Sequence, residues 1–122
     1  MDIDELMVFR THPSVAMEEL SKIPQINPSA IQAIEQHHMR IGGKGFPERK
    51  GTTPVNRVAE IIGICDELNL RVARAAKDPN YSLFTDLEVN VFPFFSQRIV
   101  QAVKSAFYPA RYGQAVPPAM AN

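Results

Sequence analysis

An all-α fold, a helical bundle, is what the sequence predicts. Three observations carry that expectation: prolines stand where helices begin, apolar residues recur at three- and four-residue spacing, and one long run is apolar nearly all round. The elements follow in order. Asp2 to Arg10, acidic at its front and carrying Leu6, Met7 and Phe9, predicts a short helix favoured by its dipole. Thr11-His12-Pro13 is read as a restart, with a second helix from Pro13 to about Lys22 that Pro24 stops. Asn27 as cap and Pro28 as first residue open a third helix, with Ile31, Ile34 and His38 on one face, ending at Gly42-Gly43.

The fourth helix is predicted to start with Thr53 as cap and Pro54, and to reach about Ala76 through Val58, Ile61, Ile62, Ile64, Cys65 and Leu68. Apolar on almost every side, it is expected to be the central helix. Lys77-Asp78-Pro79-Asn80 reads as a turn. A short helix follows Thr85 and ends before Pro93, and Ser96 caps a last segment through Ile99, Val100, Val103 and Phe107, for which a strand is the alternative. Residues 108–122, rich in Pro, Ala, Gly and Gln without periodicity, are expected to form a mobile tail behind a single domain over residues 1–107.

Thirteen basic residues balance thirteen acidic ones, so the chain has no electrostatic footprint for a nucleic-acid polymer or an anionic membrane. The single cysteine, Cys65, lies in an apolar run and is expected to be a buried thiol in a reducing compartment. No segment resembles a signal peptide or reaches the roughly 20 apolar residues of a membrane span, which predicts a cytoplasmic protein.

The adjacent His37 and His38 run into the glycine-broken loop Gly42-Gly43-Lys44-Gly45-Phe46-Pro47. Neighbouring residues on a helix point about 100° apart, so two such imidazoles suit two neighbouring metals better than one chelated ion. The ordinary alternative is one core-facing and one solvent-facing histidine. Asp66 interrupts the apolar run 61–65; it either faces solvent or pairs with an arginine, or it serves a metal or a catalytic step. His12 by itself reads as a helix-end residue. The loop is not a Walker element, since no Lys-Ser or Lys-Thr stands at the required spacing, although its backbone amides with Lys44 suit an anion.

Taken together, these elements resemble the C-terminal part of the HD-GYP domain, a bacterial family of metal-dependent phosphohydrolases acting on cyclic di-GMP. The family element His-His-Glu-x-x-Asp-Gly-x-Gly-Tyr-Pro is met at His37, His38, Gly43, Gly45 and Pro47, and departed from at Met39, Gly42 and Phe46. Thr11-His12-Pro13 is similar to the family's upstream metal-binding histidine, and residues 59–66 to the helix that ends in its last metal-binding aspartate. The resemblance implies a partial HD-superfamily bundle over residues 1–107. It implies His12, His37, His38 and Asp66 as ligands of a divalent iron, manganese or zinc ion. It further implies a ligand-binding set of Gly43, Lys44, Gly45, Phe46 and Pro47 with the cationic Arg74 and Lys77.

The family's His-Asp dyad would lie upstream of His12, and no His-Asp pair occurs in this sequence. The expectation is therefore a partial or degenerate HD-GYP-type domain, as a fragment, a processed chain or one member of a split protein, inactive alone. The alternative is a non-catalytic helical module for protein interaction or for sensing a cyclic dinucleotide. Uncovered apolar faces on the central helix predict self-association.

Overall fold

The computed structural model describes residues 1–42, 44–48 and 54–107, and within them the chain is helical without strands. Helix α1 spans Ile3–Leu20, α2 Pro28–Gln36, α3 Arg57–Lys77, α4 Leu83–Asn90 and α5 Gln97–Phe107, with a 3₁₀ turn at Phe92–Phe94 between the last two. The expected tail 108–122 and the cap Thr53 lie outside the described residues.

The two short helices expected on either side of Thr11 are one. A capping box opens α1, with Glu5 N–H donating to Asp2 Oδ1 at 2.8 Å and Asp2 N–H donating to Glu5 Oε2 at 2.9 Å. The helix then passes through Pro13, which is buried. A proline inside a helix removes the hydrogen bond to the carbonyl four residues back, here that of Phe9. The His12 ring replaces the missing donor, because its Nδ1 bonds the same Phe9 carbonyl.

Helix α2 begins as expected, with the Asn27 side chain accepting from Ser29 N–H at 2.8 Å and Pro28 in the first position. It stops at Gln36, with His37 as C-cap, well before the glycine pair. Helix α3 starts three residues later than expected, on Asn56, whose side-chain oxygen accepts from the N–H groups of Val58 and Ala59. Asn56 also donates to Gln32 at 2.9 Å, and its own N–H donates to Gln36 Oε1 at 2.6 Å, so the cap clamps α3 to α2. Asn56→Ala is expected to lower stability by about 0.5–2 kcal/mol, read from thermal unfolding. The last segment is helix, not strand, with Val100 N–H returning to Ser96 C=O at 3.0 Å.

The core gathers Ile64 from α3, Leu87 from α4, Val91, Phe92 and Phe95 around the 3₁₀ turn, and Ile99 and Val100 from α5. Helix α3 buries one stripe, Ala59, Glu60, Gly63 and Ile64, while Ile61, Ile62, Leu70 and Val72 stay exposed. Cys65 is exposed as well, correcting the expectation of a buried thiol. The cause is coverage: the helix is apolar on most sides but receives neighbours on one. No described helix is long and apolar enough to cross a membrane.

Candidate metal centre

Two helices and one loop bring the three histidines of the chain together. His12 comes from the middle of α1, His37 from the end of α2, and His38 from the following turn. One ring nitrogen of each lies within 4.8 Å of the other two, and all three rings are partly buried.

The hydrogen bonds fix which nitrogen carries the proton. A carbonyl oxygen can only accept, so a ring nitrogen bonded to one must be the N–H donor. His12 Nδ1 donates to the Phe9 carbonyl freed by Pro13, and His37 Nδ1 donates to Ile34 C=O at 2.5 Å, one of the orphan carbonyls at the end of α2. Each ring therefore turns its Nε2 away from its carbonyl, and these two Nε2 atoms face each other at 3.3 Å. Two lone pairs at that distance repel unless a proton or a cation lies between them. Two nitrogens bound at about 2.0–2.1 Å to one tetrahedral zinc stand about 3.3 Å apart, so the spacing suits a shared metal. A ligating histidine whose other nitrogen donates to a backbone carbonyl is the usual arrangement in metal sites.

Pro13 is thereby part of the centre. Pro13→Ala restores a backbone donor to Phe9 C=O and frees the His12 ring; if the three histidines hold a metal, its affinity is expected to fall about 10–100-fold, measured by competition with a chelating dye.

The third ring is kept neutral. Burial, followed by the His37, His12 and Arg40 charges, pushes the His38 pKa down from 6.5 to about 4, with Asp66 acting weakly against it. Phe46 stacks on His38 with ring centres 4.5 Å apart, and Phe9 meets both rings edge-on, so an aromatic wall closes one side.

The loop behind the histidines is held tightly. Met39 and Gly45 form an isolated antiparallel bridge, Phe46 N–H donates to His38 C=O at 3.1 Å, and Ile41 N–H donates to Phe94 C=O at 3.0 Å. Gly45 has φ of +82°, and a Cβ there would sit 2.0 Å from the His38 carbonyl oxygen. Beneath the loop, Gly63 lets α3 approach: a Cβ would meet His37 O and Arg40 Nη1, each at 2.9 Å. The Arg40 guanidinium, nearly buried, donates to the carbonyls of His37 and Met39, pairs with Glu67 at 3.0 Å and lies over the Phe95 ring. Glu67 also pairs with Arg71, which reaches Asp86 at 2.9 Å.

Asp86 is held below its ordinary value first by the Tyr81 hydroxyl and then by the Asn90 amide, each donating to it. A carboxyl whose pKa is lower folded than unfolded stabilises the fold above the unfolded value of 3.8 and loses that contribution as pH falls through the folded one. Acid unfolding below about pH 3.8 is thus expected to be less steep in Asp86→Asn than in the wild-type chain, measured by circular dichroism.

The residues expected from sequence are distributed unevenly. His12, His37 and His38 converge, whereas Asp66 is exposed and stands outside the cluster, acting on His38 through its charge. Lys44, Gly45 and Phe46 border a cleft of about 410 Å³ beside His38, which Arg40, Glu67 and Arg71 also line. Pro47 follows Phe46 at the exit of the loop, and Gly43 lies outside the described residues. Arg74 lies over the Tyr81 ring and Lys77 ends α3; Arg71, one turn earlier, supplies the cation at the cleft. In the sequence Phe9 is marked only as an apolar residue of the first helix, and no pattern marks Arg40 or Glu67. Gly63 carried a signal, being a glycine within an apolar helical run.

No family model matches the chain, and neither the curated proteins nor the solved structures contain a significant match.

Proposed function

We propose that the chain is a metal-binding helical module of HD-GYP type that holds one divalent ion on His12, His37 and His38 and hydrolyses no cyclic dinucleotide by itself. The facing Nε2 pair of His12 and His37, each fixed by a carbonyl behind it, carries this reading. Three imidazoles with no carboxylate in the set favour zinc or iron over manganese. A bound ion of this kind supplies Lewis acidity and lowers the pKa of a coordinated water. The protein's own part is to hold three ring nitrogens within 4.8 Å of one another, screen one side with Phe9 and Phe46, and place Arg40, Lys44 and Arg71 around the adjoining cleft.

Absence of turnover follows from the same residues. Hydrolysis at two metals needs an anionic bridge to hold both cations, and the set of nitrogens includes no Asp or Glu, with Asp66 directed to solvent. Phe46, where the resembling family has tyrosine, packs its ring on His38 and has no hydroxyl to offer a phosphate. The cationic residues of the cleft favour a second reading beside the first, sensing of a cyclic dinucleotide without cleavage.

Titration calorimetry of chelator-treated protein with zinc, iron(II) and manganese, followed by cyclic di-GMP, tests both. One ion per chain with a heat lost in His12→Ala, and no linear dinucleotide product, is expected. Failure to bind any of the three ions, or turnover by the isolated chain, overturns the proposal.

A further inference from the structure

Away from the histidines, α3 and α5 border an apolar groove of about 750 Å³. Both helices enter it from the same end, because Glu60 in the first turn of α3 accepts from the backbone N–H of Ser96, immediately before α5. Its walls are Ile61, Ile64 and Leu68 on one side and Ile99, Val103 and Phe107 on the other, with the Cys65 thiol among them. Arg57 and Arg98 stand where the two helices begin, and neither guanidinium has a partner among the described residues.

The chain also carries a segment of opposite character. Helix α1 turns Phe9 and His12 toward the histidine centre; at about 100° per residue, Ile3 and Met7 fall on the opposite side, with Asp4 beside them and Val8 on the flank. Those apolar side chains are 77%, 62% and 70% exposed. Asp2, Asp4 and Glu5 cluster at the tip. An acidic tip followed by an apolar face complements a groove that is apolar inside and at whose entrance Arg57 and Arg98 outnumber the Glu60 carboxylate, itself bonded to Ser96 N–H. The groove is long enough, since Ile3 to Arg10 spans about 12 Å of helix and Arg57 to Leu68 about 18 Å.

We propose that the groove between α3 and α5 receives the first two turns of α1 from a second copy of this chain, and that the exchange is reciprocal, giving a closed two-fold dimer. The incoming helix runs in the same direction as α3 and α5, so that its acidic tip meets Arg57 and Arg98. Ile3 and Met7 cover the apolar walls. The inference does not depend on metal binding.

Sedimentation across a concentration series tests it, and a monomer–dimer equilibrium is expected for the wild-type chain. Arg57→Glu with Arg98→Glu, and separately Asp2→Ser with Asp4→Arg, should each raise the dissociation constant roughly tenfold or more. Mixing the two variants should restore association, since the acidic tip of the first then meets the basic groove of the second, and the tip carrying the Asp4→Arg cation meets the reversed groove. Independently of those charges, Met7→Cys should give a disulfide-linked dimer with oxidised glutathione, and adding Cys65→Ser should abolish it. A wild-type monomer at the highest soluble concentration, a dimer unaffected by either charge reversal, or a Met7→Cys link that survives Cys65→Ser would overturn the proposal.

Discussion

His37→Ala is expected to weaken zinc binding by at least about 100-fold, beyond the 10–100-fold that loss of an outer-shell partner costs. The substitution removes one of the two nitrogens 3.3 Å apart and leaves His12 Nε2 with no counterpart at that distance. His12→Ala should act to a similar extent. The fold should suffer little, because His37 is partly exposed and its backbone, which receives the Arg40 guanidinium, is unchanged. Competition against a zinc-chelating dye, alongside thermal unfolding of the metal-free proteins, separates the two effects.

Arg40→Ala is expected to cost about 3 kcal/mol, near the lower end for breaking a buried ion pair, because Glu67 retains Arg71 as a partner. What the substitution leaves behind is two carbonyls, of His37 and Met39, without their charged donor, in a place where α3 packs against them through Gly63. Arg40→Lys should recover part of this loss, since an ammonium is a point charge and does not span both carbonyls and Glu67 as the planar fork does. Urea unfolding gives the stability difference. Zinc affinity should fall with it, as Arg40 holds the turn from which His37 and His38 project.

The helices were legible where a local signal and the tertiary structure agree. Asn27-Pro28 is one such place, a cap and a first-turn proline with nothing competing. Two boundaries were misread for identifiable reasons. Thr53-Pro54 carries the same cap-and-proline pattern, yet α3 starts on Asn56, whose amide also reaches across to Gln32 on α2. Pro13 signals a break, and the helix continues because the neighbouring imidazole takes over the hydrogen bond that the proline lacks. That substitution of donor depends on ring geometry and has no periodic signature.

The site divides in the same way. The paired histidines stood out by adjacency, and His12 joined them through the family resemblance; their convergence is seen in the fold. Asp66 interrupts an apolar run, and the run itself proved to have an exposed side, so its carboxylate needs no metal to offset burial. Arg40 and Glu67 lie 27 positions apart, and nothing in either segment announces a partner at that distance. The uncovered apolar surface of α3 was expected from its composition, although the groove's cationic entrance emerged only when α5 was placed beside it.

The most direct measurement of the central claim is zinc-edge X-ray absorption on the chain loaded with one equivalent of zinc and passed through gel filtration. Retained metal with three imidazole nitrogens at about 2.0–2.1 Å is expected, and loss of zinc on the column from His37→Ala. Zinc lost on the column from the wild-type chain, or a shell without imidazole scattering, would contradict the claim.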